Sequence, residues 1–434
     1  MNTSMSIPTV SGARPVIGHA TELTRDPLAL FRRGHREHGH VFRIRLPLKD
    51  TVVLLGSEHN ELTFDETDHA LSIRAAYPFF LRMFSSDFYF LAPYEEYRRQ
   101  RQVVLPRFQG RQLDTYVEVM EHESASFMDR LGDSGEFTVP DDFGPLVMRV
   151  AARSFLGERF ADDTTDWFDE FRRFSEGADF VTPGWLPVPH LLRSRAAGRR
   201  IRERLQRIID KRRSLRGEGG DFLDHFVEAE YEDGTPVPDD ILIHLIIMLV
   251  WAGHETTTGQ ISWGLIDLLR NPAELERVRE ELDGLPETMN AGQVRRLAHL
   301  DRCLHESERL NPVVPMTVRS TVESFAVDGH QIPRGSLVMI SPAMTHRMEE
   351  EFPEPDRYRP DRYTEEPEQL RRLVGFGGGL HRCLGMRFAY LEMTVVLARL
   401  LQRYDLRLLN AAPRPVAGQG AKWPRSTEVA YRRR

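Results

Sequence analysis

Phe376-Gly-Gly-Gly-Leu-His-Arg-Cys383-Leu-Gly385 decides how the rest of the chain is read. Gly377, Gly378 and Gly379 open backbone conformations that a Cβ forbids. Such a loop can aim consecutive N–H groups at one anionic atom. Residues 386–401 carry apolar side chains at helical spacing, so Cys383 stands at the entrance to a helix and feels the positive end of its dipole. Both effects favour the thiolate, the form of cysteine that binds metals. A lone cysteine in an arbitrary loop is more simply a small buried hydrophobe. Here it belongs to a Phe-x-x-Gly-x-His-x-Cys-x-Gly pattern that fixes five positions in ten.

Composition narrows the setting. The 434 residues are 41% hydrophobic, ample for a sizeable core, and no Pro/Gly/Ser-rich linker, internal repeat or low-complexity tract divides them. A net charge of −7 argues against bulk nucleic-acid binding. Three residues are lysine, so arginine supplies 55 of the 58 positive charges, a bias of GC-rich bacterial genomes. If Cys383 holds a metal, Cys303 has no disulfide partner and reads as inert core, which suits a reducing cytoplasm. The start, MNTSMSIPTV, lacks the basic-then-apolar order of a signal peptide. The longest apolar run, residues 241–252, falls short of the ~20 residues a bilayer span needs. A soluble, cytoplasmic protein without a membrane span is the expectation.

Local patterns place the main elements. Residues 26–38 predict a helix, and residues 40–45 and 51–55 predict two strands of a small sheet. Residues 238–271 predict one long helix, capped by Asp239 or Asp240 and ended by Asn271-Pro272. About 30 residues at 1.5 Å each reach ~45 Å. Its middle, Ala252-Gly-His-Glu-Thr-Thr-Thr258, combines glycine, β-branched residues and a carboxylate, which a buried helix disfavours without a purpose. His254-Glu255 is not the zinc-protease motif His-Glu-x-x-His, because Thr258 stands where the second histidine belongs. Tyr77, Phe79, Phe80, Phe84 and Phe88 form a cluster that is either core or the wall of an apolar pocket. Residues 180–189 are an apolar, proline-rich loop, and residues 193–216 read as a solvated basic helix face.

The cysteine stretch resembles the haem-binding loop of the cytochrome P450 superfamily. Further motifs in matching order extend the resemblance over nearly the whole chain. Ala252-Gly253-His254-Glu255-Thr256 resembles the oxygen-binding motif Ala-Gly-x-Glu-Thr. Glu306-Ser-Glu-Arg309 resembles Glu-x-x-Arg, and Tyr358-Arg-Pro-Asp-Arg362 resembles Phe-x-Pro-x-Arg with tyrosine for phenylalanine. Tyr97-Arg-Arg-Gln-Arg101 is similar to Trp-x-x-x-Arg, with Tyr97 in place of tryptophan. Tyr77-Pro78-Phe79 resembles the bacterial sterol 14α-demethylase subgroup, although many of its members carry histidine where this chain has Glu255.

The resemblance implies a mainly α fold with a small β-rich region, residues 1–20 as an irregular lead-in and residues 21–434 as one domain. It implies haem b with Cys383 as axial iron ligand and Phe376 beside the thiolate. His381, Arg319, Arg101 and Tyr97 would bind the haem propionates. Ala252 and Gly253 would leave room over the iron, and Glu255 and Thr256 would deliver protons to dioxygen. Glu306, Arg309 and Arg362 would form a buried charge network that is structural, not catalytic. The pocket wall would be Tyr77, Phe79, Phe80, Phe84 and Phe88. The implied reaction inserts one atom of O2 into a small apolar organic substrate, by hydroxylation or epoxidation. Electrons would come from NAD(P)H through a ferredoxin or flavodoxin and its reductase. Arg98, Arg99, Arg107, Arg372, Arg382 and Arg387 could dock that acidic partner. The leading reading is a bacterial enzyme of secondary metabolism. The alternatives are a sterol 14α-demethylase, a peroxide-driven peroxygenase and a non-catalytic haem-binding protein.

Overall fold

Asp26 opens the first long helix, Pro27–His38, by accepting from the Ala29 N–H at 3.0 Å, with Pro27 pre-set at the first helical position. In this computed structural model the described residues are 6–47, 50–157, 167–179, 182, 185–214, 222–410, 413, 415–417 and 422–434. They form two units, Met1–Pro78 with His305–Cys383, and Phe79–Leu304 with Leu384–Arg434.

The first unit is built on a five-stranded sheet in the order Val41–Arg45, Asp50–Leu54, Leu337–Ile340, Thr317–Thr321, Leu71–Ser72. One pairing is parallel: Thr51 lies opposite Leu337 and Leu54 opposite Ile340. Side chains alternate across it as strand geometry demands. Val52, Leu54, Val338 and Ile340 pack with Phe64 and Leu71 on one face. Ile44, Val53 and Met339 pack with Leu30, Phe31 and Phe42 on the other. Both faces are therefore covered, and each fully buried aliphatic side chain contributes about 1.5–3 kcal/mol.

Beside the sheet, one carboxylate gathers a long stretch of backbone. Arg309 donates Nε and Nη2 to the two oxygens of Glu306, each at 2.8 Å. Arg362 Nε reaches Glu306 Oε1 at 3.1 Å, the Arg359 N–H reaches the same oxygen at 2.8 Å, and the Tyr363 hydroxyl donates to Oε2 at 3.1 Å. The remaining guanidinium N–H groups donate to the carbonyls of His346, Pro355 and Arg357 from Arg309, and of Pro353 and Glu354 from Arg362. All three charged side chains are at most 1% exposed.

The second unit is organised by the helix Asp239–Arg270. The expected cap is corrected here: Pro238 occupies the capping position and no side chain caps the helix. Asp239 and Asp240 already lie in the first turn, and Asp239 is held by Arg213 at 2.6 Å and 2.8 Å and by Gln206 at 3.0 Å. The β-branched middle does not break the helix. Thr256, Thr258 and Ser262 turn their hydroxyls back onto the carbonyls of Ala252, His254 and Thr258 at 2.6, 2.7 and 2.7 Å. By length and composition this helix could cross a membrane, but 72% of its apolar window is buried by packing. It lies against the helices Phe143–Leu156 and Met386–Arg403 and the strand Lys422–Pro424. A Cβ at Gly264 would stand 3.0 Å from Leu304 and 3.2 Å from Leu397, so glycine sets that close approach.

The basic segment forms the helix Pro189–Ser214, with Ile201, Leu205 and Ile209 inward and arginines paired to acids, as in Arg200 with Glu170 at 2.8 Å. Phe180, Val181, Pro183 and Gly184 of the proline-rich loop, and residues 215–216, lie outside the described residues.

Replacing Glu306 by glutamine leaves two buried guanidiniums short of their counter-charge. A loss of about 3–5 kcal/mol is expected, read as a lower midpoint in denaturant unfolding of the haem-loaded protein. A change under about 1 kcal/mol would show that the carbonyl cage alone holds the cations.

Candidate active site

In the first unit the cysteine loop is braced by its own backbone. The Cys383 N–H donates to the Phe376 carbonyl at 2.9 Å, Gly377 to Val374 at 2.9 Å and Arg382 to Gly379 at 3.2 Å. The Gly375 N–H donates to Glu308 Oε1 at 3.1 Å. Three of these N–H groups are spent on the loop's own carbonyls and the fourth on Glu308, so they are not the array aimed at sulfur that the glycines suggest. Their work is to hold the loop's shape. Gly377 and Gly379 take φ of +71° and +58°, and a Cβ at Gly378 would strike the Phe64 ring at 2.3 Å. The loop is thus pressed onto the helix Ser57–Asp65, and it presents Cys383 as an exposed thiol.

Arg319 and His381 of this unit meet one turn. Arg319, on the strand Thr317–Thr321 and 6% exposed, donates Nε to Thr67 Oγ1 at 3.0 Å and Nη1 to the Val318 carbonyl at 2.9 Å. His381 makes a short contact through Nε2 with Asp68. Thr67 and Asp68 are consecutive, and Asp68 holds φ of +75°, which aspartate tolerates better than most residues. Nothing in the local sequence marked either one. Tyr77 accepts from the Val318 N–H at 3.0 Å, and burial pushes its phenol up from the ordinary value. An exposed soft sulfur, a guanidinium and an imidazole are a donor set that fits haem, whose iron takes thiolate and whose two carboxylate arms take cations.

In the second unit the long helix opens at one turn. Ala252 is exposed and Trp251, Gly253, Glu255 and Thr256 around it are partly exposed, between buried stretches of the helix, and a Cβ at Gly253 would meet none of the described atoms within 4 Å. His254 faces the interior, edge-on to Phe168 at 5.1 Å, and burial lowers its pKa to about 3, so it is neutral. Burial raises the Glu255 carboxyl above its usual range, opposed by a hydrogen bond from Ser175. Ser175 also accepts from the Trp251 indole at 2.7 Å, and the Trp423 indole donates to the Glu255 carbonyl at 2.9 Å. Trp251, Ser175 and Trp423 escaped the sequence reading. Trp251 adjoins the motif and could have been found; the other two carry no local signal.

The aromatic cluster packs against this turn. Phe80 and Phe84 each lie 6.1 Å from Trp251, Phe84 stacks on Phe88 at 4.6 Å, and Phe79 lies 4.5 Å from Phe80. Phe79, Phe84 and Phe88 are buried, while Phe80 is partly exposed. Tyr97 and Arg101 share one face of the helix Tyr94–Val104, where Arg101 Nη1 lies 3.4 Å from the Tyr97 hydroxyl and 3.2 Å from that of Tyr89. Tyr89 joins this group from eight residues upstream of Tyr97. Of the arginines considered for docking, Arg98, Arg382 and Arg387 are exposed. Arg99 is engaged with Asp233 at 2.8 Å, and Arg372 with the Glu351 carbonyl at 2.8 Å.

Comparison with known proteins gives these features a family. The sequence model described as "Cytochrome P450" matches residues 8–423. A protein named sterol 14alpha-demethylase from Mycolicibacterium vanbaalenii is 30% identical, over 100% of this chain and 99% of that protein. One of the same name from Mycobacterium tuberculosis is 30% identical over 94% and 93%. Lanosterol 14-alpha demethylase of Rattus norvegicus is 27% identical over 93% of this chain and 83% of its own. Among solved structures, retinoic acid bound cyanobacterial CYP120A1 superposes with a TM-score of 0.88, both chains covered in full at 24% identity. That likeness carries the mainly helical fold; the full-length sequence match carries the membership, and the chain belongs to the cytochrome P450 family.

Proposed function

We propose that this protein is a monooxygenase of bacterial secondary metabolism, working in the cytoplasm on a small apolar organic substrate by hydroxylation or epoxidation. The family makes it a haem-dependent monooxygenase in general; the substrate class and setting are our reading. The observation that carries it is the turn around Ala252 and Gly253, open and followed, past His254, by a largely buried acid and a hydroxyl.

Haem, when bound, supplies oxygen activation, which a thiolate ligand favours by donating electron density. Cys383 Sγ is the residue that would hold its iron, and Arg319, His381 and Arg101, with Tyr97, would hold its propionates. Glu255 keeps its proton to a higher pH than an ordinary carboxyl, so it can act as a general acid. Thr256 Oγ1 holds a hydrogen bond to the Ala252 carbonyl and keeps lone pairs to accept a proton and pass it on. Phe80 and Phe84, packed on Trp251, give an apolar wall next to the helix turn that carries the relay. Electrons would arrive from NAD(P)H through a ferredoxin or flavodoxin and its reductase, docked on the exposed arginines.

A second reading, a sterol 14α-demethylase, is favoured by the names of the curated relatives and by Tyr77-Pro78-Phe79. Glu255, where many such enzymes carry histidine, weighs against it.

Cys383→Ala should abolish the thiolate-type absorbance of the reduced carbon monoxide complex, and retention of that band would overturn the ligand assignment. Thr256→Ala should uncouple oxygen consumption from product. Glu255→Gln should cut turnover by about a hundredfold and flatten the alkaline limb of the pH profile. The sign follows from the raised pKa: the proton is present below it and lost above it. Unchanged coupling and an unchanged profile would reject the relay. Lanosterol should leave the Soret band in place, while apolar natural products shift it; lanosterol binding with loss of its 14-methyl group would establish the second reading instead.

A further inference from the structure

The first unit carries a second constellation of ligating atoms outside the haem residues. His35 lies in the last turn of the helix Pro27–His38, His40 just before the strand Val41–Arg45, and Glu350 in the segment after the helix Pro342–Thr345. One ligand atom from each lies within 4.8 Å of the others. His35 Nε2 is 3.3 Å from Glu350 Oε1, and His40 Nε2 is 3.9 Å from the same oxygen. Atoms sharing one tetrahedral zinc at about 2.0–2.1 Å stand roughly 3.3 Å apart. The first separation already has that value, and the second needs only a small rotation of the half-exposed glutamate.

The surroundings orient the site. His40 Nδ1 lies 3.1 Å from the Leu55 carbonyl. A carbonyl can only accept, so Nδ1 carries a proton, and in the neutral ring that binds metals Nε2, the atom facing Glu350, carries the lone pair. This backbone partner to a ligating imidazole is the arrangement that fixes tautomer and ring direction in metal sites. The His40 ring is held further by stacking on His59 at 5.7 Å, and His59 is tied to Asp328 at 2.9 Å. His35 meets the His40 ring edge-on at 5.1 Å, so the two imidazoles converge from different directions.

The geometry points to a divalent transition-metal site made by His35, His40 and Glu350, which pins the end of the first helix to the sheet and to the segment at 350. Two imidazoles and one carboxylate suit zinc, nickel or copper rather than magnesium or calcium. Water would complete the coordination, and the role is structural.

The test uses untagged, haem-loaded full-length protein and Zn2+ as the probe. Calorimetric titration, with zinc and iron measured by mass spectrometry after gel filtration, should give one zinc per chain and a raised unfolding temperature. Excess Mg2+ should not compete. His35→Ala and His40→Ala should each weaken binding by at least about tenfold, and Glu350→Gln should weaken it while leaving the haem spectrum unchanged. If His40→Ala does not fold, His35→Ala and Glu350→Gln carry the test. Absence of stoichiometric zinc, or zinc binding indifferent to His35→Ala and Glu350→Gln, overturns the assignment.

Discussion

The fully buried carboxylate of Glu306, clasped by Arg309 and neighboured by Arg362, is the constraint on which the cysteine-bearing unit depends. Ions removed from water are costly, and the cost is offset only when every donor and lone pair finds a partner. Here the two guanidiniums collect five backbone carbonyls between His346 and Arg357, fixing an irregular stretch with little regular hydrogen bonding of its own. Two residues along the same helix, Glu308 accepts the Gly375 N–H at the mouth of the cysteine loop. One helix, through Glu306 on one side and Glu308 on another, thus determines both the meander and the loop.

The open turn in Asp239–Arg270 answers a conflicting demand. A helix buried over most of its length has to be apolar, yet the proposed proton relay needs polar groups in its middle. The hydroxyls of Thr256, Thr258 and Ser262 resolve this by satisfying themselves on the preceding turn. Glu255 cannot do so, and burial raises its carboxyl above the ordinary range. The same desolvation that makes a carboxylate unwelcome there makes a carboxylic acid useful.

What could be read in the chain was whatever is encoded over a few consecutive residues. The helical P450 fold followed from ordered motifs, the helix over 26–38 from its apolar spacing, and the end of the long helix from Asn271-Pro272. The cap of that helix was misread, because Asp239 is taken by Arg213 across a different helix. The parallel pairing of Asp50–Leu54 with Leu337–Ile340 was invisible, since neither strand names its partner. The supports of the site were equally silent. Thr67 and Asp68 sit over 250 residues before Arg319 and His381, and such separations leave no periodicity to detect.

That parallel pairing also bears on how the chain is made. Residues 51–54 leave the ribosome long before residues 337–340 exist to pair with them. At about 5–20 residues per second the wait is on the order of tens of seconds. During that interval the nascent N-terminal hairpin presents an open, aliphatic strand edge to the crowded cell. Yield on overexpression should therefore be governed by holdase supply and by translation speed across the middle of the message, more than by the stability of the finished protein.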